Sequence, residues 1–263
     1  MMPEPVKLLT IAGSDSGGAA GLQADLKTWT ALGVYGMSAV TVVTAQNSVQ
    51  VAGVQFLPAG FVAQQIDAVL SDYGAAGVKT GFLGQVALIE AVAERLAAYA
   101  LPHVVVDPVL VNHRGEPLFA ADVAAAYRAL LLPLATLATP NWREAALLAG
   151  RPRPGSLPEV VAVAQALPPP VLVTGWAAGE EMVDVFCPGR ETHLLHAPRH
   201  ATTNTHGSGD TLSAAITAYL ALGQPLFQAI HSARSYTGRA IARASGWHLG
   251  AGHGPLDHLW HHA

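Results

Sequence analysis

Short apolar runs rich in β-branched residues alternate along this chain with longer segments of helical period. Between Gln85 and Tyr99 the apolar positions recur on one helical face, whereas the short runs are apolar at consecutive positions. A strand that is apolar on both faces has to lie between two covering layers, as in a parallel sheet flanked by helices. The strands predicted in this way are Lys7–Ala12, Ser38–Thr44, Gly77–Thr80, His103–Asp107, Leu134–Thr139 and Val171–Thr174.

Two later runs predict that the sheet also has an antiparallel edge. Met182–Phe186 and His193–Ala197 flank the turn residues Pro188-Gly189, and this pattern is typical of a hairpin. No low-complexity linker divides the chain, and Gly150–Pro158 is interpreted as a surface loop between two halves of one sheet. We therefore expect a single domain over the whole chain (1–263).

The composition excludes several classes of protein. Hydrophobic residues make up 51% of the chain and charged residues 12%, which is too apolar for a disordered protein. A net charge of −4 without a basic patch argues against a nucleic-acid partner. The apolar runs are shorter than the ~20 residues of a membrane span, and the first apolar stretch is too short for a secretion signal. Because Cys187 is the single cysteine, an internal disulfide is excluded, and we expect a cytoplasmic protein with no membrane partner.

Polar residues follow the apolar run of nearly every predicted strand. These residues are Ser14, Asp15, Gln46, Asn47, Thr80, Asp107, Asn141 and Thr174. The carboxyl ends of parallel strands share one edge of the sheet, and ligands bind at that edge. Turns have to be polar in any case, which accounts for some of these positions. The coincidence of so many favours an active-site rim.

A glycine-rich loop, Gly13–Gly21, follows the first predicted strand. Its glycines would let a ligand approach the backbone closely. The loop lacks both the GxGxxG spacing of dinucleotide folds and the lysine of a P-loop. A ligand contact and a merely flexible turn both remain open for this loop.

A second glycine-rich stretch, Gly207-Ser208-Gly209-Asp210, opens a segment of helical period that stops at Gly223. The free N–H groups and the positive dipole end of a helix start bind anions. An aspartate in a first turn also complements the dipole without any further role. Here, however, small residues on both sides clear space beside the Asp210 carboxylate. We predict that Gly207, Ser208 and Gly209 bind a phosphoryl group and that Asp210 accepts the proton of an alcohol.

Phosphoryl transfer of this kind requires Mg²⁺ to screen the phosphates. This ion favours one or two carboxylates together with waters. Asp107 and Glu144 are the candidate ligands because both lie near predicted strand ends, with Asn141 close to Glu144 in sequence.

Longer motifs resemble the ribokinase superfamily and, within it, the hydroxymethylpyrimidine/phosphomethylpyrimidine kinases of thiamine synthesis. The similar segments follow the family's order over nearly the whole chain. They are Ile11–Asp15, Gly21–Lys27, Gly33–Ser38, Thr44–Asn47, Val106–Val109, Thr139–Asn141, Asn204–Gly207 and Gly252–Pro255. The resemblance implies a three-layer α/β/α sandwich, ATP and Mg²⁺ as cofactors, and a homodimer.

The resemblance also implies roles for individual residues. Gln46 matches the glutamine that binds the aminopyrimidine, and an amide suits that edge because it both donates and accepts hydrogen bonds. Asp25, Ala20 and Val109 match residues around the same ring. Residues 207–210 match the anion hole under the transferred phosphoryl group. On the nucleotide and Mg²⁺ side, the matching positions are Asn141, Glu144, Thr174 and Asp107.

The chain departs from the family pattern around the phosphates. Asp210 stands where the pyrimidine kinases carry cysteine, and Thr174-Gly175-Trp176 replaces Lys-Gly-Gly. Thr203 occupies a position that is usually basic, and none of the three lysines can restore the lost charge locally. We hypothesise that Arg114 or His113, on the loop after the Asp-Pro-Val motif, replaces one of these cations.

Two alternatives to a pyrimidine kinase stay open. The Gly-Ser-Gly-Asp variant favours a kinase of the same fold that acts on another ring-bearing alcohol, with pyridoxal or pyridoxine first. The loss of the phosphate-site lysine is compatible with a binding protein that no longer catalyses. Asp210 argues against that second alternative, because a protein that only binds ligand has no need of a base.

Overall fold

The computed structural model describes residues 4–112, 114–168 and 170–260, which form one nine-stranded sheet covered by helices. The strands are β1 (Lys7–Asp15), β2 (Tyr35–Gln46), β3 (Val51–Phe56), β4 (Gly77–Thr80), β5 (Val104–Val106), β6 (Leu137–Ala138), β7 (Val171–Ala178), β8 (Glu181–Cys187) and β9 (His193–Pro198). The helices are α1 (Gly21–Ala31), α2 (Ala59–Asp72), α3 (Val86–Tyr99), α4 (Ala121–Ala126), α5 (Trp142–Ala149), α6 (Leu157–Ala164), α7 (Ser208–Ala221) and α8 (Leu226–Ala244). His113 lies outside the described residues.

Two helical layers enclose the sheet. The side chains of α2 to α6 pack on one face in a cluster that includes Ile66, Leu88 and Trp142. On the other face α7 and α8 pack against the sheet through residues such as Ile216 and Ile230, with α1 beside them. The expected three-layer α/β/α sandwich is therefore confirmed.

The strand order is β3-β2-β1-β4-β5-β6-β7-β8-β9. In this order the six strands β2-β1-β4-β5-β6-β7 are parallel to one another. The predicted β8–β9 hairpin forms an antiparallel edge. The sequence did not predict β3, which pairs antiparallel with β2 at the opposite edge. Most of its residues are exposed, so β3 lacks the apolar alternation that marks a half-buried strand.

One predicted strand was too long, for a local reason. The strand predicted over Leu134–Thr139 is reduced to the two residues of β6. A π-helical turn (Tyr127–Leu131) and a 3-10 turn (Leu132–Leu134) precede it. Pro133 fits the start of a helical turn, where its missing N–H is not needed.

The order in which strands are added to the sheet changes direction at β1, because β2 lies on one side of β1 and β4 on the other. Loops at the carboxyl ends of such neighbouring strands diverge and leave a crevice, where ligands bind in open α/β sheets. The first glycine-rich loop follows β1, and Lys79 lies near the end of β4. Among the helices of the described ranges, none has the length and apolar character of a membrane span.

Candidate active site

Asp15 organises the first glycine-rich loop at the end of β1. Its Oδ1 accepts the N–H of Gly17 at 2.8 Å, and its Oδ2 accepts the N–H groups of Ala19 and Ala20 at 2.9 Å each. Since a buried carboxylate with several amide donors holds a loop in one conformation, the loop is ordered rather than merely flexible.

Gly207 brings the second glycine-rich stretch against the first. It is the N-cap of α7 and has φ +82°, a conformation that favours glycine. A Cβ atom at this position would overlap the carbonyl oxygen of Ala19 and lie 3.1 Å from Cα of Ala20. Glycine is therefore required both by the backbone conformation and by the close contact between the two loops.

The N-terminus of α7 is the predicted anion-binding helix start. The Ser208 N–H is used internally, because it donates to the carbonyl of Thr205 at 3.1 Å. The first hydrogen bond of the helix is made by Thr211 to Gly207 at 2.8 Å. The amides of Gly209 and Asp210 consequently have no acceptor within the helix, as is usual for the first turn.

Lys79 holds the carboxylate of Asp210. Its ammonium group is fully buried and lies 2.9 Å from Asp210 Oδ1, 2.6 Å from Asp25 Oδ1 and 3.9 Å from Asp107 Oδ2. Sequence reasoning gave Lys79 no role, although a lysine in the apolar four-residue strand β4 was a detectable signal. The positive charge of a lysine at that position has to be neutralised inside the protein. Three acids do so, namely Asp107 at the end of a strand and Asp25 and Asp210 on helices.

These charges set the ionisation of the cluster. Burial by itself would raise the pKa of Asp210, but Lys79 and the Gly21 N–H outweigh it and bring the pKa below its ordinary value. Burial likewise opposes the charge of Lys79, yet the carboxylates of Asp210, Asp25 and Asp107 raise its pKa. Asp210 is thus ionised and Lys79 protonated at neutral pH, as a proton acceptor at the helix start requires.

Asp25 lies behind Lys79, away from solvent. Its Oδ2 accepts the hydroxyl of Thr10 at 2.6 Å, and Lys79 donates to its Oδ1. Both contacts favour the ionised carboxylate, but burial is the larger effect and raises its pKa to about 7. The structure thus joins Asp25 to Asp210 through Lys79, a connection that the resemblance did not suggest.

Gln46 lies next to the second glycine-rich stretch, across from the end of β1. Its Nε2 is 3.0 Å from Nε2 of His206, and that ring nitrogen is 3.7 Å from Asp15 Oδ2. The backbone of Gln46 is fixed by Ser16, whose hydroxyl bonds both its N–H and its carbonyl. The structure therefore brings Gln46 and Ala20 to the same edge as Asp210.

The C-terminal tail connects these loops. The His206 N–H donates to the Gly254 carbonyl at 3.0 Å, and the His253 N–H donates to the Ser48 carbonyl at 2.9 Å. His253 Nε2 also lies 2.8 Å from the Thr205 hydroxyl. A cavity of about 530 Å³ borders this junction and is lined by residues 201–204, 245 and 247–252. The tail thus fixes the β2–β3 turn against the loop that precedes α7.

Glu144 and Asn141 form a capping box at the start of α5. The Asn141 side chain accepts the N–H groups of Arg143 and Glu144, and Glu144 Oε2 accepts the Asn141 N–H at 2.9 Å. The other carboxylate oxygen of Glu144 accepts the Leu110 N–H at 3.1 Å. A bridge pairs Asn141 with Thr174, so the predicted nucleotide-side residues lie together.

Asp107 and Glu144, the two predicted Mg²⁺ ligands, are both buried. Burial is the main cause that raises the pKa of Asp107 to about 6 and that of Glu144 to about 8, where the charge of Asp107 adds to the effect. The Val109 N–H donates to the Asp107 carbonyl at 3.1 Å, so the chain turns directly after Asp107. Within residues 4–112, 114–168 and 170–260, no group of three or more His, Cys, Asp or Glu side chains could hold a metal. A cation bound here would keep several waters, as Mg²⁺ does.

Comparisons with known proteins agree on the family. The family model described as phosphomethylpyrimidine kinase matches residues 15–257. A hydroxymethylpyrimidine/phosphomethylpyrimidine kinase of Rhizobium meliloti is 45% identical over 95% of this chain and 96% of its own. One of Streptomyces coelicolor is 45% identical over 97% and 95%. The ADP complex of Bacillus subtilis pyridoxal kinase has a TM-score of 0.91 and 36% identity over 98% and 99% of the two chains.

Proposed function

The chain belongs to the phosphomethylpyrimidine kinase family, and from this premise we propose that it phosphorylates 4-amino-5-hydroxymethyl-2-methylpyrimidine, its monophosphate, or both. ATP is the phosphoryl donor, and the reaction belongs to thiamine biosynthesis. The observation that carries this proposal is the position of Asp210, ionised by Lys79 at the N-terminus of α7. All 263 residues are taken as one kinase unit.

The reaction needs a proton acceptor and a site for a charged phosphoryl group. The acceptor hydroxyl gives its proton to Asp210, its oxygen forms a bond to the γ-phosphorus, and the bond to the ADP oxygen breaks. The transition state is loose, so positioning and charge neutralisation supply most of the catalysis. The free amides of Gly209 and Asp210 would face the transferred group.

Mg²⁺ would be held by Asp107 and Glu144 and would neutralise the phosphates of ATP. Asn141 and Thr174 lie beside these carboxylates and would face the nucleotide. Because ATP is a cytoplasmic metabolite, we place the enzyme in the cytoplasm.

The acceptor that the enzyme phosphorylates distinguishes a hydroxymethylpyrimidine kinase from a pyridoxal kinase of the same fold. Gln46 favours an aminopyrimidine, because an amide can both donate to and accept from such an edge. The likeness to a pyridoxal kinase favours pyridoxal as the alternative. We expect the purified protein to have a higher kcat/KM for hydroxymethylpyrimidine than for pyridoxal in an assay that measures ADP release. A higher value for pyridoxal would assign the alternative function, and ligand binding without ADP release would indicate a non-catalytic protein.

We further propose a homodimer that uses the β2–β3 edge. Val43, Val51 and Val54 expose 46%, 54% and 48% of their surfaces there, and β3 ends the sheet with one side unpaired. Exposed apolar strand edges favour association. We expect Val51→Asp to lower the mass measured by light scattering from that of a dimer to that of a monomer. A wild-type monomer, or a dimer that Val51→Asp leaves intact, would contradict this interface.

A further inference from the structure

Two guanidinium groups lie over the indole ring of Trp142, the first residue of α5. Arg143 Cζ is 4.1 Å and Arg153 Cζ is 4.8 Å from the ring centroid. Neither arginine forms an ion pair with a carboxylate in the part of the chain that the structure describes. Burial, together with the charge of Arg153, lowers the pKa of Arg143. Two like charges are thus held close together without a counter-charge.

The Arg143 side chain packs closely against Gly115. Gly115 has φ +78°, and a Cβ atom there would overlap Cδ and Nε of Arg143. The Nε atom of Arg143 is buried and has no hydrogen-bond acceptor among the described residues. A buried donor without an acceptor is destabilising, and an arginine does not lose its charge to relieve this. An anionic ligand beside the guanidinium would offset both effects.

Arg143 and Arg153 lie on the nucleotide side of the proposed site. Arg143 lies between Asn141, which bridges to Thr174, and the buried Glu144. Trp142 meets Trp176 edge-on, with the ring centroids 5.2 Å apart. The amides at this helix start already donate to Asn141 Oδ1, at 2.9 Å and 3.1 Å. An anion here would therefore be bound by side chains rather than by the helix end.

We propose that Arg143, with Arg153 beside it, binds the phosphate chain of the nucleotide. This inference rests on the proposed kinase function. The planar guanidinium forms paired hydrogen bonds to phosphate oxygens. The pair supplies the positive charge that is absent at Thr174 and Thr203. Arg114 is exposed, and its backbone N–H donates to Asn112 Oδ1 at 2.9 Å.

Calorimetry on the purified wild type and on single variants tests this assignment. The probes are ADP and inorganic tripolyphosphate, with adenosine as a phosphate-free competitor of ADP. Arg143→Gln is expected to weaken the binding of ADP and tripolyphosphate about ten-fold or more, as loss of a charge-assisted contact does. Adenosine competition should be unchanged. Arg153→Gln should weaken both anions less, and Arg128→Gln, an exposed arginine on another segment, should have no effect.

Wild-type affinity for ADP and tripolyphosphate in Arg143→Gln would overturn the assignment. An equal loss of adenosine binding would overturn it too, because it would indicate general damage to the site. If Arg143→Gln fails to fold by circular dichroism, the exposed Arg153 decides, and unchanged anion binding in Arg153→Gln then overturns the proposal. If Arg114→Gln alone weakens ADP, the loop arginine has the role instead. A wild type that binds ADP but phosphorylates neither acceptor would contradict the proposed function and leave this phosphate site standing.

Discussion

Replacement of Asp210 by asparagine is expected to lower kcat by about 10²–10⁴-fold, the contribution of a positioned acid–base group. The amide keeps the size of the carboxylate and can still accept a hydrogen bond from Lys79, now 2.9 Å from Oδ1. It cannot take the proton of the acceptor hydroxyl. The affinity for ADP should therefore change little while turnover falls. Steady-state kinetics and ADP calorimetry on the same preparation measure the two effects separately.

Asp67→Asn is the matched control for this variant. Asp67 is an acid on the outer face of α2, paired with Arg95 at 3.3 Å. Its substitution should leave kcat unchanged. If Asp210→Asn retained near-normal turnover, Asp210 would not be the base, and the proposed mechanism would lose its proton acceptor.

Replacement of Lys79 by methionine is expected to lower the free energy of unfolding by about 3–5 kcal/mol above about pH 8, the usual effect of breaking a buried ion pair. Methionine fills much of the space but leaves Asp25, which is fully buried, without its cation. Chemical denaturation monitored by circular dichroism measures the loss. Arg95→Met breaks an exposed pair and should have little effect.

The pH dependence of this loss identifies its cause. Burial already raises the pKa of Asp25 to about 7, and Lys79 is the group that lowers it. In Lys79→Met the pKa of Asp25 therefore rises further, and the unfolded state releases its proton at a lower pH than the folded state. Both folded proteins keep the Asp25 proton below about pH 7, so the part of the loss that Asp25 causes should be small there and grow as the pH rises above about 7. The double variant Lys79→Met/Asp25→Asn should recover part of it. A loss independent of pH would instead indicate a packing defect.

Several elements of the fold could be predicted from local pattern. Gly77–Thr80 was predicted at its observed bounds, and the start of α7 at the Gly-Ser-Gly-Asp stretch follows from its glycines and the apolar spacing after it. Gln46 and Asp210 are predicted as site residues from local pattern, Gln46 because it follows an apolar strand and Asp210 because it follows the glycines of a predicted helix start. β3 was missed because an exposed edge strand has no burial pattern to detect.

The roles of Lys79, Arg143 and Asp25 depended on contacts between distant parts of the chain. Lys79 was set aside because it is remote in sequence from every predicted phosphate contact. The pairing of β4 with β1 places it beside α1 and α7. Arg143 and Arg153 likewise come together only because α5 and the following loop pack on one indole ring.

The sequence by itself determined the layered α/β class, and it predicts a site at the carboxyl edge of the sheet and an anion-binding helix start. Periodicity, glycine and chain order encode these features locally. Tertiary structure alone decided which charges neutralise one another, namely Lys79 with Asp25 and Asp210, and which arginines have no carboxylate partner among the described residues. Electrostatic energy depends on distance and burial. Both are fixed only when distant segments pack together, and Lys79 and Asp210 are 131 residues apart in the sequence.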